Sequence, residues 1–107
     1  MFDGGRMKTL EEIQQILFVN KGVLRKKYKV KNIGIFGSFA RGEQKANSDI
    51  DVLVEFDGLP DIFLLIDLED FLKKLTKRKV DVVRKNAVRE ELKDIIAKEV
   101  MYPVSSK

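Results

Sequence analysis

Gly37-Ser38-Phe39-Ala40-Arg41-Gly42-Glu43-Gln44-Lys45-Ala46-Asn47-Ser48-Asp49-Ile50-Asp51, running on into Val52-Leu53-Val54-Glu55-Phe56, is the stretch from which the architecture can be read. Before it, Asn32-Ile33-Gly34-Ile35-Phe36 is a short apolar run that stops at a glycine, the pattern of a buried strand ending in a turn. After it, Asp49 to Phe56 is rich in β-branched residues and reads as a second strand. Side chains alternate faces along a strand, so Asp49 and Asp51 are expected to point the same way. Two neighbouring carboxylates repel each other unless a cation lies between them. Oxygen-only ligands suit magnesium, which keeps positions free for water and phosphate oxygens.

The glycine turn adds a second element. Glycine lets backbone amides approach an anion closely, and the Ser38 hydroxyl can donate as well. The spacing differs from that of a Walker loop. Arg41 follows four residues after Gly37, and a guanidinium matches phosphate geometry. A third element is Asp81, set among Val80, Val82 and Val83 where a plain strand residue would be apolar. Each feature alone has an ordinary reading: an exposed strand start, a serine-capped turn, a surface arginine, an edge aspartate. Their joint occurrence points instead to phosphate chemistry, with Asp81 completing a metal-binding set or taking a proton from an attacking hydroxyl.

Working outward, Thr9-x-x-Glu12 is a capping box, and Leu10, Ile13, Leu17, Leu24 and Tyr28 follow at helical spacing. A first helix is expected from Thr9 to Lys27, weakened late by Gly22. A short helical turn and a loop fill Phe39 to Asn47. Asp57-Gly58-Leu59-Pro60 breaks the second strand, and Asp61 caps a helix carrying Ile62, Leu65, Leu68, Phe71, Leu72 and Leu75. Lys79 to Val83 is a third strand. Asn86 is placed as the cap of a last helix with Val88, Leu92, Ile95 and Ile96 on one face. The alternation of elements predicts an α+β domain, a small mixed sheet flanked by helices, with a parallel crossover between the second and third strands. One domain spans 9–102, with an N-terminal extension at 1–8, a loose tail at 103–107 and Met7 as an alternative start.

Composition narrows the chemistry. The chain has 107 residues, no cysteine and no histidine. Thiolate sites, disulfides and a Ser-His-Asp arrangement are therefore excluded, and acid–base or metal chemistry must rest on carboxylates. The lack of cysteine suits a reducing cytosol, so a cytoplasmic location is expected. No run approaches the roughly 20 apolar residues of a membrane span. A net charge of +4 is compatible with phosphate-bearing ligands. The basic residues at Lys26-Lys27, Lys73-Lys74 and Lys77 to Lys79 lack interleaved aromatics, so direct nucleic-acid binding is not expected.

Gly37-Ser38, ten residues, then Asp49-x-Asp51 resembles the G-S-x10-D-x-D signature of the polymerase-β-like nucleotidyltransferase superfamily. The fuller string GSFARGE…SDIDVLVEF is similar to the minimal nucleotidyltransferases (MNT proteins). Asp81 in VDVV and the ending from Glu91 to Tyr102 match that family too. The resemblance implies the polymerase-β-like core and transfer of a nucleoside monophosphate, AMP from ATP, to a hydroxyl. It implies two Mg²⁺ ions on Asp49 and Asp51, with Asp81 binding one, and the triphosphate on Gly37 and Ser38. It also implies a HEPN-domain toxin as partner, neutralised by AMP on a tyrosine. The alternative is a catalytically weak module that neutralises the toxin by binding alone.

Overall fold

Thr9 caps the first helix through the capping box: its hydroxyl accepts from the Glu12 amide at 3.2 Å, and Glu12 accepts from the Thr9 amide at 2.8 Å. The computed structural model describes residues 9–103. The extension at 1–8, the alternative start at Met7 and the tail residues 104–107 lie outside them.

The expected single first helix is two, α1 (Leu10–Val19) and α2 (Lys21–Tyr28). The break is at Asn20 and not at Gly22. The Asn20 side-chain amide donates to the Ile16 carbonyl at 2.8 Å, and the residue leaves helical geometry at ψ 11°. A side chain that competes for backbone partners in this way ends a helix. Lys29 then turns the chain in a left-handed conformation, φ 58°. Strand β1 (Val30–Phe36) therefore begins two residues before the predicted Asn32.

Next come a four-residue helix α3 (Ser38–Arg41), strand β2 (Ile50–Phe56), helix α4 (Ile62–Thr76) and strand β3 (Val80–Arg84). Asp61 caps α4 as expected, accepting from the Leu64 amide at 2.8 Å. Asn86 does not cap the last helix. It lies in a 3₁₀ turn at Lys85–Ala87, and α5 (Glu90–Glu99) starts later, leaving Val88 outside it.

The sheet order is β1-β2-β3. The first pair is antiparallel and the second parallel, in agreement with the expected mixed sheet and crossover. Register decides what each face carries. Ile33 pairs with Val54 and Ile35 with Val52, while Ile50 pairs with Val80. These side chains form the core with Ile13, Leu17, Leu24, Tyr28, Leu68 and Leu72 of α1, α2 and α4. Tyr28 stacks on Phe71 with ring centroids 4.9 Å apart. The opposite face holds the intervening residues: Gly34, Phe36, Asp51, Leu53 and Asp81.

That second face is partly covered by the C-terminal segment. Met101 bridges Ile35 through two backbone hydrogen bonds, 2.8 and 2.7 Å. A methyl group on Gly34 would lie 2.6 Å from Cγ2 of Val100 and 2.9 Å from Cδ1 of Tyr102. Glycine is needed here because the segment lies directly on the strand. Gly34→Ala is expected to lower stability by about 1–3 kcal/mol, the usual range for overpacking. Thermal unfolding by circular dichroism checks this, and an unchanged melting temperature would show that the segment yields freely.

Candidate nucleotide site

β1 and β2 run side by side, so the residue that ends one lies beside a residue near the start of the other. Phe36 pairs with Asp51, and the turn at Gly37 follows immediately. Gly37 has φ 78° and ψ −150°, a conformation essentially reserved for glycine. It also has no room for a side chain, because a Cβ there would collide with the Asp51 carboxylate. The glycine turn and the second aspartate, fourteen positions apart in sequence, are thus in direct contact.

On its other side Asp51 is in parallel register with Asp81, so both carboxylates stand on the same face of the sheet. Asp81 is exposed and Asp51 half-buried. Asp49 differs slightly from the expectation. It lies one residue before β2, because the ladder begins with the Ile50 amide donating to the Lys79 carbonyl at 2.9 Å. The loop that delivers it is pinned by Arg78, which donates to the Ser48 carbonyl at 3.0 Å while its guanidinium packs 5.5 Å from the centre of the buried Phe39 ring.

The electrostatics follow from this crowding. The Asp51 carboxyl is held above the ordinary carboxylate range, chiefly by burial, then by the charges of Asp81 and Asp49. Arg41 opposes the shift and Glu99 adds to it. Among the described residues, no three acidic side chains converge closely enough to hold one metal ion as they stand. The donor set itself fits a hard divalent cation: carboxylate oxygens only, with excess negative charge.

Arg41 does not reach out freely. Its guanidinium binds Glu43 at 2.9 Å and Glu99 at 3.0 Å, and these hydrogen bonds raise its pKa further above the usual arginine value. The Ser38 hydroxyl has no hydrogen-bond partner among the described residues. Glu99, the last residue of α5, is the member that sequence reasoning missed. Its second carboxylate oxygen accepts from the Gly37 amide at 2.5 Å. It lies 62 positions from Gly37 on a helix rich in charged residues, and nothing local distinguishes it from its neighbours.

Known proteins share the sequence family and the fold. The family model for the nucleotidyltransferase domain matches residues 20–103. A Methanocaldococcus jannaschii chain named for protein adenylyltransferase activity is 54% identical over 84 residues, covering 78% of this chain and 98% of that one. Protein adenylyltransferase MntA of Thermococcus cleftensis is 42% identical over 96 residues, covering 90% and 97%. Among solved structures, one described as a minimal nucleotidyltransferase superposes with a TM-score of 0.77 at 25% identity, covering 91% and 98%. A toxin–antitoxin structure with AMP-PNP shares the fold at a TM-score of 0.69 and 22% identity, covering 88% and 74%.

Proposed function

The chain belongs to the nucleotidyltransferase domain family, and from that premise we propose that it transfers AMP from ATP to a tyrosine hydroxyl of a HEPN-type toxin, acting as its antitoxin. The observation that carries the reading is the contact of Asp51 with the Gly37 turn on one side and its register with Asp81 on the other. The names of the relatives, protein adenylyltransferases, support a protein as acceptor.

In this reading Asp49, Asp51 and Asp81 hold magnesium, two ions in all, and the metal supplies neutralising charge for the polyphosphate. The Gly37 amide, the Ser38 hydroxyl and Arg41 take phosphate oxygens. The acceptor oxygen forms a bond to the α-phosphorus. The bond from that phosphorus to the bridging oxygen breaks, and pyrophosphate leaves with the electron pair. The acceptor proton passes to the Asp81 carboxylate, which stands exposed at the lip of the site. Such a transfer needs positioning and charge neutralisation more than a reactive nucleophile on the enzyme, so a chain without histidine or cysteine can perform it.

A protein acceptor needs a surface on which to dock. The first turns of α4 and the loop before it expose Leu59, Ile62, Phe63 and Ile66, at 86, 61, 73 and 55%. This exceeds what α1, α2 or α5 presents. Residues 57–72 also hold five acidic and no basic side chains in a chain of net charge +4. A two-fold contact of this face with itself would set acid against acid. The complementary occupant is the toxin, meeting the face with apolar residues rimmed by lysine or arginine. Phe63→Ser with Ile66→Ser is expected to weaken the toxin complex at least tenfold by calorimetry while leaving ATP affinity unchanged; equal complex affinity would remove this face from the interface.

The test of the function itself is incubation with labelled ATP, magnesium and the HEPN partner. Label on a partner tyrosine is the expected result. No transfer to the partner by the wild-type chain would sink the enzymatic reading. Full neutralisation by an Asp49→Ala, Asp51→Ala double variant would mean that binding alone suffices.

A further inference from the structure

We propose that Glu99 is an internal counter-anion of the phosphate cradle: its carboxylate occupies the Gly37 amide and the Arg41 guanidinium and must leave both before phosphate can bind there. This rests on the reading of Gly37 and Arg41 as phosphate ligands and adds how access to them is controlled. One oxygen of Glu99 accepts from the Gly37 amide at 2.5 Å and the other from Arg41 at 3.0 Å. A carboxylate with both oxygens engaged, one on an amide and one on a guanidinium, makes the contacts that two oxygens of a phosphate would make.

The arrangement satisfies a polar group that the turn would otherwise leave without a partner. The Gly37 amide lies in a turn of fixed, positive-φ geometry against the Asp51 carboxylate, and an unpaired buried amide is costly. The side chain of Glu99 is 16% exposed, so it satisfies that amide from a largely desolvated position. With Glu99 in place, however, the site faces an incoming polyphosphate with carboxylates from Asp49, Asp51, Asp81 and Glu99. Its guanidinium is already shared between Glu99 and Glu43. Like-charge repulsion and occupied donors both act against binding.

Glu99 is free to yield without unravelling the fold. Helix α5 contains no buried residue. The anchors of this segment lie after it, at the backbone bridge of Met101 to Ile35 and at Val100 and Tyr102 packed on Gly34. Rotation of one side chain clears both donors while these anchors hold. Apparent phosphate affinity is then lowered by the fraction of molecules in which the carboxylate sits in the cradle.

The experiment uses the full chain and inorganic tripolyphosphate, which probes the cradle without a nucleoside, followed by ATP. Glu99→Gln keeps size and still offers an oxygen to the Gly37 amide, so it preserves the fold while removing the charge; Glu99→Ala removes the contact altogether. Both variants are expected to bind tripolyphosphate roughly tenfold more tightly than wild type by calorimetry. The Gly37 amide resonance in the wild type should shift on saturation, and in Glu99→Ala it should be displaced before any ligand is added. Equal or weaker affinity in both variants, with wild type binding normally, overturns the role of Glu99 alone. Failure of wild type and both variants to bind tripolyphosphate or ATP overturns the phosphate reading of Gly37 and Arg41, and this inference with it.

Discussion

Asp51→Asn is expected to abolish nucleotidyl transfer and, at neutral pH, to raise the melting temperature. The first effect follows from its position between Gly37 and Asp81 in the proposed site. Loss of a carboxylate that would hold the charge-neutralising metal in such a transfer lowers the rate by about 10³-fold. The second follows from its titration. Burial and the charges of Asp81 and Asp49 raise the Asp51 pKa above the ordinary aspartate value in the folded protein. The native state therefore binds this proton more tightly than the unfolded chain does. The ionised side chain is a liability to the fold once pH exceeds the ordinary carboxylate value, and the penalty is complete above the raised native one. The gain in Asp51→Asn should accordingly fade as pH falls through the raised native value and be gone below about 4, where the carboxyl is protonated in both states. Differential scanning calorimetry at pH 7 and below 4, beside a transfer assay, checks both halves. A variant less stable at pH 7 would mean that Asp51 helps to hold the sheet together.

Gly37→Ala is expected to remove nucleotide binding and destabilise the protein together. Two independent penalties meet at this residue. The backbone conformation at φ 78° and ψ −150° costs a residue with a side chain about 1–3 kcal/mol. The new methyl group would also collide with the Asp51 carboxylate, so the turn or the strand must move. In a domain of this size each kcal/mol lowers the melting temperature by roughly 4–8 °C. Any shift of the turn also takes its amide away from where a phosphate would meet it. Calorimetric ATP titration and thermal unfolding read the two effects separately. Normal ATP affinity in a folded variant would show that the Gly37 turn is not the cradle.

The sequence carried much of this arrangement because its main parts are local. Strand period places alternate residues on one face, and a glycine stop after Phe36 locates the turn, so the aspartates and the turn could be named from residue type and spacing. Asp81 was visible as a charge inside an apolar strand, and parallel pairing with β2 sets it beside Asp51. What escaped notice depends on contacts across the chain or on competition between bonds. Glu99 looks like any solvated helix residue until α5 is laid across the end of β1. Arg78 looks like one of several basic residues after α4 until its hydrogen bond to Ser48 is seen. The split between α1 and α2 turns on whether the Asn20 amide bonds to the Ile16 carbonyl or to water, a choice that periodicity does not encode. Asp49 was placed inside β2, whereas the ladder begins one residue later because Ile50 is the first to find a partner on Lys79.

A sheet of three strands has two outer strands, and each is a template on which a stray chain could add and start a stack. Both flanks carry a stop. Met101 occupies Ile35 on β1, and on β3 the Glu69 carboxylate accepts from the Val82 amide at 3.4 Å. An intruding strand would have to displace a tethered segment on one flank and a charged side chain on the other. Small size therefore need not bring fibril formation, even when the protein accumulates in excess of what it binds.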